Sequence, residues 1–124
     1  MILVDTDVLI EIFDKESKKG EKALQKLKQT NENIAICSLN LHEILFGHYK
    51  RKKNVEEIIT LTTLDFTKED AKLSAKIETD LEGKRKTNTR IDTMIAAIAI
   101  NNHAKIFTFN KKHFLPIKEV TLFE

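Results

Sequence analysis

The sequence predicts a three-layer α/β/α sandwich, with helices on both faces of a central, mainly parallel sheet. Three observations predict it. Short β-prone runs, Ile2-Leu3-Val4, Ile34-Ala35-Ile36-Cys37 and Ile106-Phe107-Thr108-Phe109, alternate with longer segments whose apolar residues recur at helical spacing. The first run stops at Asp5-Thr6-Asp7 before apolar residues resume, the pattern of a buried parallel strand that feeds a helix from its carboxyl end. The segment Ile91 to Asn101 alternates alanines with larger apolar residues, which lets a helix lie close on a sheet. A chain of 124 residues, 41% hydrophobic and 32% charged, is long enough for one core, and a single domain over 1–124 is expected.

The elements follow in order. Val8, Leu9, Ile12 and Phe13 carry helical spacing that fades at Asp14. A second helix places Ala23, Leu24 and Leu27 inward and lysines outward, and Asn31-Glu32-Asn33 turns the chain into the strand Ile34 to Cys37. Ser38 is read as the cap of a third helix with two alternative inward sets, Leu41, Leu45 and Tyr49 or Ile44 and Gly47. Val55 to Ile59 continues helically, and Leu61 to Phe66 is an edge strand or extended link. Thr67-Lys68-Glu69-Asp70 is a capping-box variant that opens a helix with Leu73, Ile77 and Leu81 inside. Glu82 to Arg90 is polar and basic, a loop; the helix Ile91 to Asn101 has Ile91, Met94, Ile95 and Ile98 at core spacing. Lys105 to Phe109 is a strand ending at Asn110, and after a turn holding Phe114 and Pro116 a last strand is expected near Val120 to Leu122.

Composition excludes several classes. A net charge of +2 does not announce a nucleic-acid binder, so any such claim rests on local patches. The single cysteine, Cys37, cannot pair within the chain and lies in an apolar run, where it reads as a small buried hydrophobe rather than a thiol nucleophile. No export leader or bilayer-length apolar stretch stands in the sequence, and a reducing cytoplasm is the expected location. His42-Glu43 approaches a zinc-protease helix motif, but Phe46 stands where the second histidine is needed. His103 and His113 stand alone and read as surface or turn residues.

Three acids fall at comparable places: Asp5 ends the first strand, Glu43 lies early in the helix after the second, and Asp92 lies in the first turn of the alanine-rich helix. In one parallel sheet these positions and Asn110 would share the carboxyl rim, where ligands of such folds bind. Each acid also has a plain reading: Asp5-Thr6-Asp7 as a helix cap, Glu43 as a solvated face residue and Asp92 as a partner of the helix dipole. Leu41, Ile44, Leu45 and Phe46 surround Glu43 in sequence, and a carboxylate held against apolar surface needs a partner. Only Arg90 is close to Asp92. Carboxylates that share a site repel unless a cation intervenes, and oxygen donors select a hard ion such as Mg²⁺ or Mn²⁺.

Asp5-Thr6-Asp7-Val8-Leu9-Ile10 resembles the opening motif of PIN-domain ribonucleases. Ser38 to Gly47 resembles their second motif, Asp92-Thr93-Met94-Ile95-Ala96-Ala97 their third, and Phe107 to Phe114 their fourth. Order, spacing and length match the small VapC-type toxins of prokaryotic toxin–antitoxin pairs. The resemblance implies a PIN-like fold and a ribonuclease that hydrolyses phosphodiesters with a metal-activated water. It implies Asp5, Glu43 and Asp92 as catalytic and metal-holding acids, Asn110 as a fourth catalytic position, and Asp7 and Thr6 as outer-sphere contacts. Many relatives carry a carboxylate at the position of Asn110 or near His113, and often asparagine at that of Asp7; this chain departs at those places. The implied partners are RNA, a cognate antitoxin and a second copy in a homodimer, with no membrane.

The basic residues Lys84, Arg85, Lys86 and Arg90 precede Asp92 closely enough to guide a phosphate backbone toward the acids, and RNA contact is expected of them. For His48 to Lys53, RNA contact and a solvated face are equally good readings. Two further readings stay open: a degenerate PIN domain that only binds partners, and an acidic-pocket Mg²⁺-binding signalling module. The module would need an acceptor aspartate where this chain has Ser38 and a lysine where it has Asn110.

Overall fold

The computed structural model describes residues 1–84 and 88–124. Among these, four parallel strands form one sheet in the order β3-β2-β1-β4, with β1 Ile2–Val4, β2 Ile34–Cys37, β3 Thr63–Leu64 and β4 Lys105–Phe107. β1 is central, pairing Leu3 with Ala35 on one side and Val4 with Phe107 on the other. The helices are α1 Thr6–Leu9, α2 Lys18–Lys28, α3 Ser38–Lys50, α4 Glu56–Ile59, α5 Lys68–Leu81 and α6 Arg90–Asn101, with a π-helical turn over Ile10–Asp14 and a 3₁₀ turn over Lys111–His113.

Side chains alternate across a strand, and this sorts the core into two halves. Leu3, Cys37 and Ile106 pack with Ile77 and Leu81 of α5 and with Ile95, Ala96, Ile98 and Ala99 of α6. Ile2, Val4, Ile36 and Phe107 pack the opposite way, against Val8 and Leu9 of α1, Ala23 and Leu27 of α2, Ile44 of α3 and Ile58 of α4. The sheet is therefore covered on both faces, as an all-parallel sheet requires. The alanines of α6 are buried, as their spacing predicts.

Several boundaries differ from expectation. Cys37 rather than Ser38 occupies the cap of α3, because the Asn40 side chain turns back to accept the Cys37 N–H at 3.1 Å. The inward set of α3 is Asn40, Ile44 and His48; Tyr49 is exposed. Leu24 and Ile91, expected inside, are partly solvent-facing because each lies at the margin of its helix's buried stripe. β4 stops at Phe107, two residues early, where the Thr108 hydroxyl accepts the Asn110 N–H at 3.0 Å and starts a turn. The last strand is reduced to a single parallel bridge between Ile106 and Leu122. Among the described residues no helix is long and apolar enough to cross a membrane.

Candidate active site at the carboxyl rim of the sheet

The end of β1 delivers Asp5 to the rim. Its backbone N–H still bonds the Phe107 carbonyl of β4 at 2.9 Å, while its carboxylate Oδ1 accepts the Thr6 N–H at 2.9 Å and starts α1. Thr108, the first residue beyond β4, donates its hydroxyl to Asp5 Oδ2 at 2.9 Å. From the other side Asn40 Nδ2 donates to Asp5 Oδ1 at 3.3 Å and to Thr6 Oγ1 at 3.0 Å. The Thr6 hydroxyl, with that lone pair engaged, donates to Glu43 Oε1 at 2.7 Å. A polar chain thus ties the ends of β1, β2 and β4 together.

Asp92 reaches the same place from α6. It is only 9% exposed, and its Oδ2 accepts the Thr89 N–H at 2.7 Å and the Thr89 hydroxyl at 3.1 Å in a capping box. Asp92 thus takes part in the cap of α6, beyond the dipole partnership its place in the first turn suggests, and its carboxylate also faces a cleft. His113 lies 3.5 Å away through Nδ1. In the sequence His113 stands alone and reads as a surface or turn residue; the 3₁₀ turn after Asn110 brings it back to Asp92 of α6.

Asp5, Thr6, Asp7, Glu43, Asp92, Asn110 and His113 together line one cavity of about 490 Å³. All four expected catalytic positions and both expected outer contacts are brought together. Glu43 is exposed rather than crowded: Ile44 is buried in the core, and Phe46, 63% exposed, lines an adjoining open hollow together with Glu43, Thr6 and Ile10. Neither Asn40 nor Thr108 was singled out from sequence, although Asn40 stands inside the second motif. Both are polar and completely or almost completely buried.

The basic residues are arranged differently. Arg90 forms a two-pronged pair with Glu78, through Nε at 3.0 Å and Nη2 at 3.0 Å, rather than meeting Asp92. Lys84 lines a separate hollow with Leu73 and Pro116. Arg85 and Lys86 lie outside the described residues. Of the other basic run, Arg51 and Lys53 both engage Asp14 at the end of the π-turn, and His48 is buried.

The electrostatics follow from this packing. Burial, then the neighbouring charge of Asp7, push the Asp5 carboxyl up to about 7, against smaller opposing effects of the Thr108 and Thr6 hydrogen bonds. Burial also raises Asp7, partly offset by the Phe109 N–H. Burial likewise pushes the Cys37 thiol up to about 11, and its Sγ lies 3.0 Å from Asn40 Oδ1, which suits a core residue and not a nucleophile.

The donor set is one that a hard divalent cation suits. It consists of carboxylate and amide oxygens, and among the described lining residues no lysine or arginine offsets them. In the arrangement present, no three His, Cys, Asp or Glu side chains among the described residues are gathered closely enough to hold an ion.

The fold is that of a nuclease family: the chain belongs to the PIN-domain family, whose model matches residues 2–119. It resembles VapC-type toxins in particular. Its fold is similar to a chain of VapBC2 from Rickettsia felis bound to a DNA fragment from their promoter, at 27% identity and TM-score 0.83 over 99% of this chain and 98% of that one. FitAcB from Neisseria gonorrhoeae shares the fold at 24% identity and TM-score 0.83, covering 100% and 97%. A toxin–antitoxin complex from Klebsiella pneumoniae does so at 22% and 0.78, covering 98% and 96%. No curated protein sequence matches the chain.

Proposed function

We propose that this chain is a Mg²⁺- or Mn²⁺-dependent endoribonuclease, the toxin of a type II toxin–antitoxin pair, acting as a homodimer in the cytoplasm and held silent by a small antitoxin. The observation that carries the reading is the meeting of Asp5, Asp7, Glu43 and Asp92 in one cleft at the carboxyl rim, with Asp5 raised to about 7. Likeness to proteins described as VapBC and as a toxin–antitoxin complex supports the antitoxin partner.

In this reading Asp5, Glu43 and Asp92 hold the ion. When bound, such an ion supplies an acidified water and neutralises charge on the phosphodiester, worth several kcal/mol of transition-state stabilisation. The rest falls to the protein. Asn40 and Thr108 fix the Asp5 carboxylate from two sides, the Thr6 hydroxyl aims Glu43 inward, and Thr89 holds Asp92. Asn110 contributes an amide in the same cleft. Of the basic residues expected to meet the RNA backbone, Lys84 and Arg90 are described, Arg90 being paired with Glu78.

The test is cleavage of single-stranded and structured RNA by tag-free protein in Mn²⁺. Asp5→Asn, Glu43→Gln and Asp92→Asn should each lower the rate by roughly two orders of magnitude or more. Expression alone should slow growth, with relief by Asp5→Asn or by the co-expressed antitoxin. Undiminished cleavage by Asp5→Asn would mean a contaminant and would reject the assignment. A non-catalytic PIN domain is the second reading, favoured by the amide at Asn110, and wild-type protein inert toward RNA would select it.

A further inference from the structure

We propose that Asp7 supplies the fourth carboxylate of the ion site, in the role of a direct ligand beside Asp5, and that the neutral Asn110 is tolerated for this reason. The inference rests on the metal-dependent reading above. Asp7 lies in the first turn of α1, whose N-cap is Asp5. Its side chain reaches the end of β4, where Oδ2 accepts the Phe109 N–H at 3.0 Å. There the Thr108 hydroxyl stands between two acids, 2.9 Å from Asp5 Oδ2 and 3.3 Å from Asp7 Oδ2. A hydroxyl has one proton, so it can donate to only one of them at a time.

The two carboxylates therefore face each other across a single shared donor. Among the described lining residues no lysine or arginine answers them, and His113 sits beside Asp92 instead. Asp5 is buried and Asp7 half-buried, and two carboxylates set this close repel unless a cation lies between them. The anchor on Phe109 also sets Asp7 next to Asn110, and both line the cleft. A charge removed at position 7 can thus be replaced from position 110.

The experiment is a Mn²⁺ titration of the full chain read by thermal shift, with urea unfolding in EDTA to verify the fold of each variant. Asp7→Asn keeps an oxygen to accept the Phe109 N–H, and should raise the Mn²⁺ midpoint at least tenfold. Asp7→Ser, which lacks the charge and most of the reach, should do the same. The double change Asp7→Asn with Asn110→Asp should return the midpoint to within about threefold of wild type. A midpoint for Asp7→Asn within twofold of wild type, or no recovery in the double variant, overturns the proposal. Asp5→Asn separates the two levels of the argument. If it abolishes the Mn²⁺ shift while Asp7→Asn does not, Asp7 alone is rejected. If wild type shows no shift, or Asp5→Asn shifts as wild type does, the metal site itself is rejected and Asp7 with it.

Discussion

Without metal, Asp5 should destabilise the protein, and Asp5→Asn should make it more stable while disabling it. The carboxyl rises from its ordinary 3.8 to about 7 in the folded chain, chiefly by burial. Because the native state holds this proton more tightly than the unfolded chain, stability falls as pH climbs between those two values and levels off above the upper one. At about 1.4 kcal/mol for each tenfold change in proton affinity, the bound is about 4 kcal/mol. Water reaching the open cleft relieves part of this, so a gain of about 2 kcal/mol for Asp5→Asn above pH ~7.5 is expected. That corresponds to a melting temperature higher by roughly 6–10 °C for a domain of this size. The asparagine fits: its oxygen can accept from Thr6 and Asn40, and its amide can face Thr108, whose proton then turns to Asp7. The assay is urea unfolding in EDTA at several pH values. The advantage should be near zero at pH ~4 and grow through pH ~7. Asp7 is raised too, but it is present in both proteins and most of its effect cancels. No gain at high pH, or the same gain at every pH, would refute the reasoning.

Two other outcomes follow from packing. Gly20→Ala should cost about 2 kcal/mol or more in urea unfolding, because a Cβ on α2 would run into the backbone carbonyl of Glu11 in the π-turn. Asn40→Ala should lower the RNA cleavage rate at least tenfold and cost about 2 kcal/mol, since it leaves Asp5 and Thr6 without their shared donor and Cys37 N–H without its acceptor; an unchanged rate would show that Thr108 alone positions Asp5.

What the sequence determined by itself is everything that depends on neighbours a few residues apart. The apolar run that halts at Asp5, the alanine-rich helix, and the Thr67–Asp70 cap all form through local backbone geometry, and they fold as read. The order of strand, acid and helix also places Asp5 and Asp92 at one rim, because parallel strands share a direction. The tertiary structure alone decided which groups touch there. The bond from Thr108 to Asp5 spans 103 residues and depends on the pairing of Val4 with Phe107. Asn40 meets Asp5 from 35 residues away only because β2 lies beside β1. His113 reaches Asp92, and Arg90 turns to Glu78 instead, through the way turns and helices pack. The same residues could be drawn into many pairings by spacing; register and packing select one, because each buried carboxylate must find its donors among whatever the sheet brings to its side.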